Sequence, residues 1–228
     1  MIVKLENIFK VYGESGTETS VPALNDVSLT VDKGEYVAIM GPSGSGKSTL
    51  LYLMGGLDNV SEGNIVINGK EICKLSDELQ SKMRRKEIGF IFQFYNLIPN
   101  LTVEENIMLP ALLDGSDKKQ LKKKVDELLT LVGLQERRKH TPRELSGGQQ
   151  QRTAIARALV TNPDIIFADE PIGNLDSKSG VEVLKLLQKI NRESGKTIVM
   201  VTHSEESTQY GNRVIRLKDG HVVEQANG

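Results

Sequence analysis

Cysteine is almost missing from this chain: Cys73 is the only one in 228 residues. One thiol excludes an intrachain disulfide and any Cys-based metal cluster. It fits a reducing compartment, and Cys73 reads as a small hydrophobe rather than a reactive thiol. A charge excess is missing too. Lys+Arg number 29 against 30 Asp+Glu, a formal net charge of -1. That balance speaks against a dedicated nucleic-acid binder, which is normally basic overall, so no nucleic acid is expected as a partner. Long apolar runs are also lacking. The longest stretch without acidic or basic residues, Ile88 to Val103, contains Gln93, Asn96, Pro99 and Asn100. It falls short of the ~18 residues that cross a bilayer, so the chain is not expected to span a membrane by itself. Met1 to Glu6 shows no apolar run behind a basic start, so no signal peptide is expected there. No solenoid-length repeat and no low-complexity linker divides the chain.

What is present is an ordinary globular composition, 38% hydrophobic and 26% charged. Disorder as the main state is excluded, and the length allows a substantial core. Short β-branched runs alternate with helical patterns, which predicts a parallel sheet with crossover helices. Tyr36–Met40, Ile165–Ala168 and Thr197–Thr202 read as buried strands. Ile65–Ile67 and Arg213–Leu217 read as antiparallel or edge strands, ended by the turn signals Asn68-Gly69 and Asp219-Gly220. Leu121, Val125, Leu128, Leu129 and Val132 share one helix face, with the Lys118–Lys124 cluster as a solvated face. Val181, Leu184, Leu187 and Ile190 mark another helix ending near Gly195. The whole chain, 1–228, is expected to be one α/β domain. Its core lobe covers about 1–93 and 160–228, interrupted by a helical lobe of about 94–159.

The strongest local signal runs from Gly41 to Thr49, GPSGSGKST. It matches G-x-x-x-x-G-K-[ST], after an apolar strand and before a helical run. Glycines let the backbone curl so that successive N–H groups face phosphate oxygens, and the following helix adds its positive end. Gly41, Ser43, Gly44, Ser45, Gly46, Lys47, Ser48 and Thr49 are therefore candidate nucleotide-binding residues. Lys47 supplies a cation for the β- and γ-phosphates, and Ser48 a hydroxyl for Mg²⁺. The second signal is Ile165-Ile166-Phe167-Ala168-Asp169-Glu170. Two carboxylates stand at the C-terminal end of a buried strand, where open α/β sheets bind ligands. Asp169 suits Mg²⁺, directly or through water, and Glu170 suits polarising an attacking water. Together these motifs point to a nucleoside triphosphate with metal. They do not separate kinase, GTPase, helicase, motor or transporter engine. No guanine-reading N-K-x-D element is found.

The third signal is Leu145-Ser146-Gly147-Gly148-Gln149, followed by Gln150-Gln151-Arg152. Ser146 can cap a helix running through Leu159, and the glycines let an anion approach the backbone. With the cradle and the paired carboxylates, in this order and covering essentially the whole chain, the sequence resembles the nucleotide-binding subunits of ABC transporters. The resemblance implies a P-loop ATPase fold: a mixed-sheet core lobe, an inserted helical lobe and an N-terminal antiparallel β region. It implies ATP and Mg²⁺ as ligands, and a second copy of the chain as partner. In the family, Ser146, Gly147, Gly148 and Gln149 of one copy would close over the nucleotide held by the cradle of the other. Matched singly, Tyr12 resembles the aromatic that stacks on adenine, and Gln93 the glutamine that reaches Mg²⁺ and senses the membrane partner. Asn174 and Asp176 lie in the D-loop that crosses the dimer interface. His203 resembles the switch histidine at the γ-phosphate. Catalytic candidates are then Glu170, His203, Lys47 and Gln93, and metal candidates Ser48, Gln93 and Asp169.

Two positions depart from the family pattern. Ile172 stands where a Thr is usual, and Phe94 where close relatives often carry Gln. The Glu14–Thr19 insertion and the run Phe92–Pro99 resemble the macrolide-exporter and lipoprotein-release group, which includes antimicrobial-peptide exporters. That group implies a separate membrane permease, docked near the Gln93 loop, and a place on the cytoplasmic face of the cell membrane. Phe94, Tyr95, Leu97, Ile98 and Leu101 are either a docking patch or interlobe core. The alternative reading is a regulatory ATPase module of the cell-division type, which gates an extracytoplasmic enzyme without moving cargo. DNA-repair and translation members of the superfamily insert a long coiled coil or fuse two ATPase halves, and this chain has neither.

Overall fold

The structure, a computed structural model, describes residues 1–13 and 20–227. The Glu14–Thr19 insertion lies outside the described residues. The elements run β1 (Val3–Tyr12), β2 (Val21–Val31), β3 (Tyr36–Met40), α1 (Lys47–Met54), β4 (Glu62–Ile67), β5 (Lys70–Glu71), α2 (Asp77–Glu87) and β6 (Ile88–Ile91). They continue through α3 (Val103–Leu113), α4 (Lys118–Val132), α5 (Gly147–Leu159), β7 (Ile165–Asp169), α6 (Ser177–Ser194), β8 (Thr197–Thr202), α7 (Glu205–Thr208), β9 (Arg213–Lys218) and β10 (His221–Asn227).

Every residue of β3, β7 and β8 is buried. Uninterrupted apolar runs of this kind belong to parallel strands covered on both faces. They form the centre of a six-stranded sheet ordered β10-β9-β3-β8-β7-β6, in which only the β9–β10 pairing is antiparallel. Alternate residues feed two separate cores. Val37, Ile39, Phe167, Val199 and Val201 face a cluster completed by α1 and by a second, antiparallel sheet, β2-β1-β4-β5. Tyr36, Ala38, Ile166, Ala168 and Met200 face a cluster completed by α3, α4, α5 and α6. The helical segment thus shares its core with one face of the main sheet.

Helix α4 buries Leu121, Val125, Leu128, Leu129 and Val132, and Lys118, Lys119, Lys122 and Lys123 are exposed. Asp117 caps its start, and Gly133 ends it in a left-handed conformation. Strand β9, expected to be antiparallel or at an edge, pairs antiparallel with β10 and in parallel with β3, so it is antiparallel but interior. Two expectations are corrected. Val181 is 41% exposed, while Val183 and Leu186 are buried beside Leu184, Leu187 and Ile190. The apolar stripe of α6 is therefore rotated away from Val181. Cys73 is exposed, because the short 3₁₀ turn Ile72–Lys74 directs Ile72 inward instead. Among the described residues, no helix is long and apolar enough to cross a membrane.

Candidate active site

Four parallel neighbours, β3, β8, β7 and β6, end at one edge of the sheet. The chain leaves β3 into the Gly41–Thr49 loop, β7 into Glu170, β8 into His203 and β6 toward Gln93. This carboxyl edge is where open α/β sheets place their ligands. Parallel pairing alone therefore gathers segments that lie far apart in sequence.

Gly46 closes the loop at φ 96, and a Cβ there would lie 2.4 Å from the Ala23 carbonyl oxygen. Only glycine meets both conditions. Helix α1 starts at Lys47 with no side-chain cap, which leaves its first N–H groups available to an anion. Ser45 Oγ is buried in the loop without a hydrogen-bond partner, an orphan donor that fits a phosphate ligand. Lys47 is buried and donates to the Gly41 and Pro42 carbonyls, 2.9 Å each. An ammonium has three donors, so one remains. Ser43 and Gly44 form the exposed rim.

Beside the loop, Tyr12 is 42% exposed and its hydroxyl donates to Asp58 Oδ2 at 2.8 Å. Lys10 Nζ pairs with Asp58 at 2.8 Å and lies 4.6 Å from the Tyr12 ring centroid. One ring face is thus occupied by a cation. Burial and the Thr49 and Asp58 side chains act on the Tyr12 phenol, with a net upward shift. Burial pushes the Asp58 carboxyl up, but the hydrogen bonds from Lys10 and Tyr12 outweigh it and hold it below the ordinary carboxylate range.

Ser48 Oγ donates to Asp169 Oδ1 at 2.9 Å, and the Tyr52 hydroxyl donates to Asp169 Oδ2 at 2.6 Å. Burial, then the Asp169 carboxylate, pushes the Tyr52 phenol upward, so it stays a donor. Ser48 and Asp169 offer hard oxygen donors of the kind Mg²⁺ takes. Among the described residues, no group of three or more His, Cys, Asp or Glu could hold a metal ion. A cation here would need phosphate oxygens and water to complete its shell, which is the usual arrangement at nucleotide sites. Next in the chain, Glu170 adopts φ 44. A left-handed glutamate is strained and persists only where its surroundings over-determine it. Its Oε2 is buried without an aligned hydrogen-bond partner, and the ring Nδ1 of the largely exposed His203 lies 2.9 Å away.

Gln93 lies further along this edge. Its carbonyl accepts from Asn174 Nδ2 at 3.0 Å, and a Cβ on Gly173 would lie 2.8 Å from Gln93 Nε2. Among the described residues, no hydrogen bond joins Gln93 to Ser48 or Asp169. Asp176 caps α6 by accepting from the Ser179 N–H at 3.0 Å. The Ser179 backbone bond holds its carboxyl below the ordinary range. Ser146 and Gln149 form a reciprocal capping box at the start of α5, with Ser146 exposed. Here the reason for the glycines widens. A Cβ on Gly147 would lie 2.9 Å from Tyr95 Oη, and one on Gly148 2.9 Å from Ser179 Cβ. Close packing inside the same chain requires them, apart from any approach of an anion.

Sequence reasoning missed several participants. Tyr52 is one, and the signal for it is its spacing: it lies four residues after Ser48 and so on the same face of α1. Gln151 is fully buried and donates to the Pro171 carbonyl at 2.6 Å and the Phe92 carbonyl at 3.4 Å. It thereby ties α5 to the segments carrying Glu170 and Gln93. Arg157 donates to the Asn96 and Tyr95 carbonyls. No local pattern announces these last two contacts.

The family model for the ABC transporter matches residues 24–173. The lipoprotein-releasing system ATP-binding protein LolD 1 of Rhodopseudomonas palustris is 44% identical over 97% of this chain and 98% of its own length. The chain belongs to the ABC transporter family. It is an ATP-binding ATPase component of that family. The macrolide export ATP-binding/permease protein MacB of Bdellovibrio bacteriovorus is 51% identical over 90% of this chain, which spans 31% of that longer protein. Among solved structures, a dimeric ATP-binding cassette in a post-hydrolysis state, bound to ADP and Pi, superposes with a TM-score of 0.90. It has 45% identity, and the match covers 99% of this chain and 98% of that one.

Two surface features of this ABC ATPase remain. Ile172, where the family usually has Thr, packs toward α6 at Gly180, with 3.6 Å to the position a Cβ would take. The missing side chain at Gly180 leaves room for the larger residue. Phe94 is 72% and Ile98 44% exposed, so these two residues are not interlobe core. A cavity of about 410 Å³ opens between α2, β6 and α3, lined by Phe90, Phe92, Asn96, Leu109, Pro110 and Leu113 among others.

Proposed function

We propose that this chain is the ATP-hydrolysing subunit of an ABC transporter complex of the macrolide-exporter and lipoprotein-release type, working as one ATPase domain. The reading rests above all on the convergence of Lys47, Ser48, Asp169, Glu170 and His203 at one sheet edge. Tyr12 presents its free face to adenine. Lys47, Ser45 and the α1 amides receive the phosphates, with Ser43, Gly44 and Thr49 around them. Ser48, Asp169 and Gln93 would hold Mg²⁺, which when bound would offset phosphate charge. Glu170 orients and deprotonates the attacking water, and His203, with its Nδ1 2.9 Å from Glu170 Oε2, braces the carboxylate from outside. Fixed donors aimed at developing phosphoryl charge are the main term in this chemistry.

The start of α5 is packed against Tyr95 and Ser179, while α1 packs against β2, β7 and β8. We therefore assign completion of the pocket to a second copy, arranged head to tail. Its Ser146, Gly147, Gly148 and Gln149 would meet the γ-phosphate, and Asn174 and Asp176 would line the seam. The cavity lined by Phe92 and Asn96, with the exposed Phe94 between those two residues in the chain, is the proposed dock for a cytoplasmic helix of a membrane permease. It would hold the ATPase at the cytoplasmic face of the membrane. Glu170→Gln tests the core of this reading. It is expected to keep ATP binding, to lose about 10²–10⁴-fold in hydrolysis and to accumulate as an ATP-bound dimer in gel filtration. Normal turnover by that variant would remove Glu170 from the reaction.

A further inference from the structure

The Tyr52 hydroxyl belongs to no motif, yet it makes a 2.6 Å hydrogen bond to Asp169, across 117 residues of sequence. With Ser48 donating to Oδ1 and Tyr52 to Oδ2, each oxygen of this carboxylate is held by its own hydroxyl, and both hydroxyls come from one face of α1. The two donors are not equivalent. Ser48 sits on the phosphate loop, where its oxygen lone pairs serve a cation while its proton stays with Asp169. Tyr52 lies one helical turn further on, away from the loop. Its hydroxyl reaches from α1 to the last residue of β7.

We propose that Tyr52 is a positioning residue for Asp169: its hydroxyl clamps the far carboxylate oxygen and fixes the rotation of the carboxylate, so that Asp169 presents one oxygen in a set direction to the cation that accompanies the nucleotide. The inference rests on the reading of Asp169 as a cation-binding residue. The physical logic is that of outer-shell partners in general. A carboxylate held on one side needs no reordering when a cation arrives on the other, and loss of such a partner weakens cation affinity by about 10–100-fold. The lower end applies here, because phosphate oxygens share the cation.

The test uses the full chain with Mn²⁺ as probe, in a Glu170→Gln background that keeps ATP intact. Free Mn²⁺ is followed by electron paramagnetic resonance as ATP-loaded protein is titrated. ATP affinity in EDTA is measured in parallel. Tyr52→Phe keeps the ring and removes only the hydroxyl. It is expected to weaken Mn²⁺ binding by about tenfold and to leave ATP affinity in EDTA unaltered. Equal losses in both measurements would mean that Tyr52 only packs, and would overturn the proposal. So would unchanged Mn²⁺ binding in Tyr52→Phe alongside a large loss in Asp169→Asn. If Asp169→Asn itself bound Mn²⁺ normally, the assignment of Asp169 to the cation would fail first, and that of Tyr52 with it.

Discussion

Replacing Gln151 by Met should separate folding from catalysis more cleanly than any change in the motifs themselves. Gln151 is fully buried, and its amide donates at 2.6 Å to the Pro171 carbonyl, directly after Glu170. A weaker contact at 3.4 Å reaches the Phe92 carbonyl, directly before Gln93. Its own Oε1 is buried with no partner. Met has nearly the same volume and flexibility, so no cavity opens. Leaving the Pro171 carbonyl unpaired costs about 1–3 kcal/mol. Removing the unpartnered Oε1 recovers a similar desolvation cost. The two largely cancel, and with the weak Phe92 contact also lost the net is at most about 1 kcal/mol, which for a protein of this size lowers Tm by no more than about 2–4 °C. Catalysis has no such cancellation, because the loops bearing Glu170 and Gln93 lose their shared anchor. A displacement on the order of 1 Å at reacting groups costs about 10²-fold. Thermal melting and phosphate release at saturating ATP measure the two quantities on the same preparation. A nearly unchanged Tm with a steep fall in hydrolysis is the expected result. Undiminished hydrolysis would reduce Gln151 to a core filler.

Three further outcomes are expected. Gly46→Ala sets a Cβ 2.4 Å from the Ala23 carbonyl at φ 96; equilibrium dialysis should find nucleotide binding abolished, with stability reduced by more than about 1 kcal/mol. Phe94→Asp changes an exposed side chain, so melting should shift by no more than the equivalent of about 0.5 kcal/mol, while co-purification with the membrane permease is lost; retained co-purification would move the dock elsewhere. Asp58 carries a depressed folded-state pKa through Lys10 and Tyr12. Its contribution to stability is therefore present above the unfolded value of about 3.9 and fades as pH falls through the folded value. Asp58→Asn should flatten the acid limb of a Tm-against-pH curve and raise KM for ATP, because Asn offers one uncharged acceptor oxygen where Lys10 and Tyr12 each had their own.

Much of the site was legible because its motifs are local. A loop of nine residues, a strand ending in two carboxylates and a serine-capped helix start each specify their own backbone. No distant contact is needed to recognise them. The strands β3, β7 and β8 were legible for a similar reason: burial on both faces writes a continuous apolar run. The face of α4 was legible from its spacing, since one side is core and the other lysine. On α6 the same reasoning misjudged the phase at Val181, which stands at the margin of an apolar stripe centred on Val183, Leu184, Leu186, Leu187 and Ile190 and is left exposed.

The sequence by itself determined that this chain carries a phosphate-type glycine loop, a buried strand ending in two carboxylates and a serine-capped helix start, since each of those features is written in contiguous residues. Only the tertiary structure decided how they are held to one another. Parallel pairing brings four strand ends to one edge, Tyr52 reaches Asp169 across 117 positions, and Gln151 reaches from α5 to the backbone beside Glu170. A hydrogen bond between distant residues depends on where two elements pack, and neither partner's neighbours along the chain carry any trace of it.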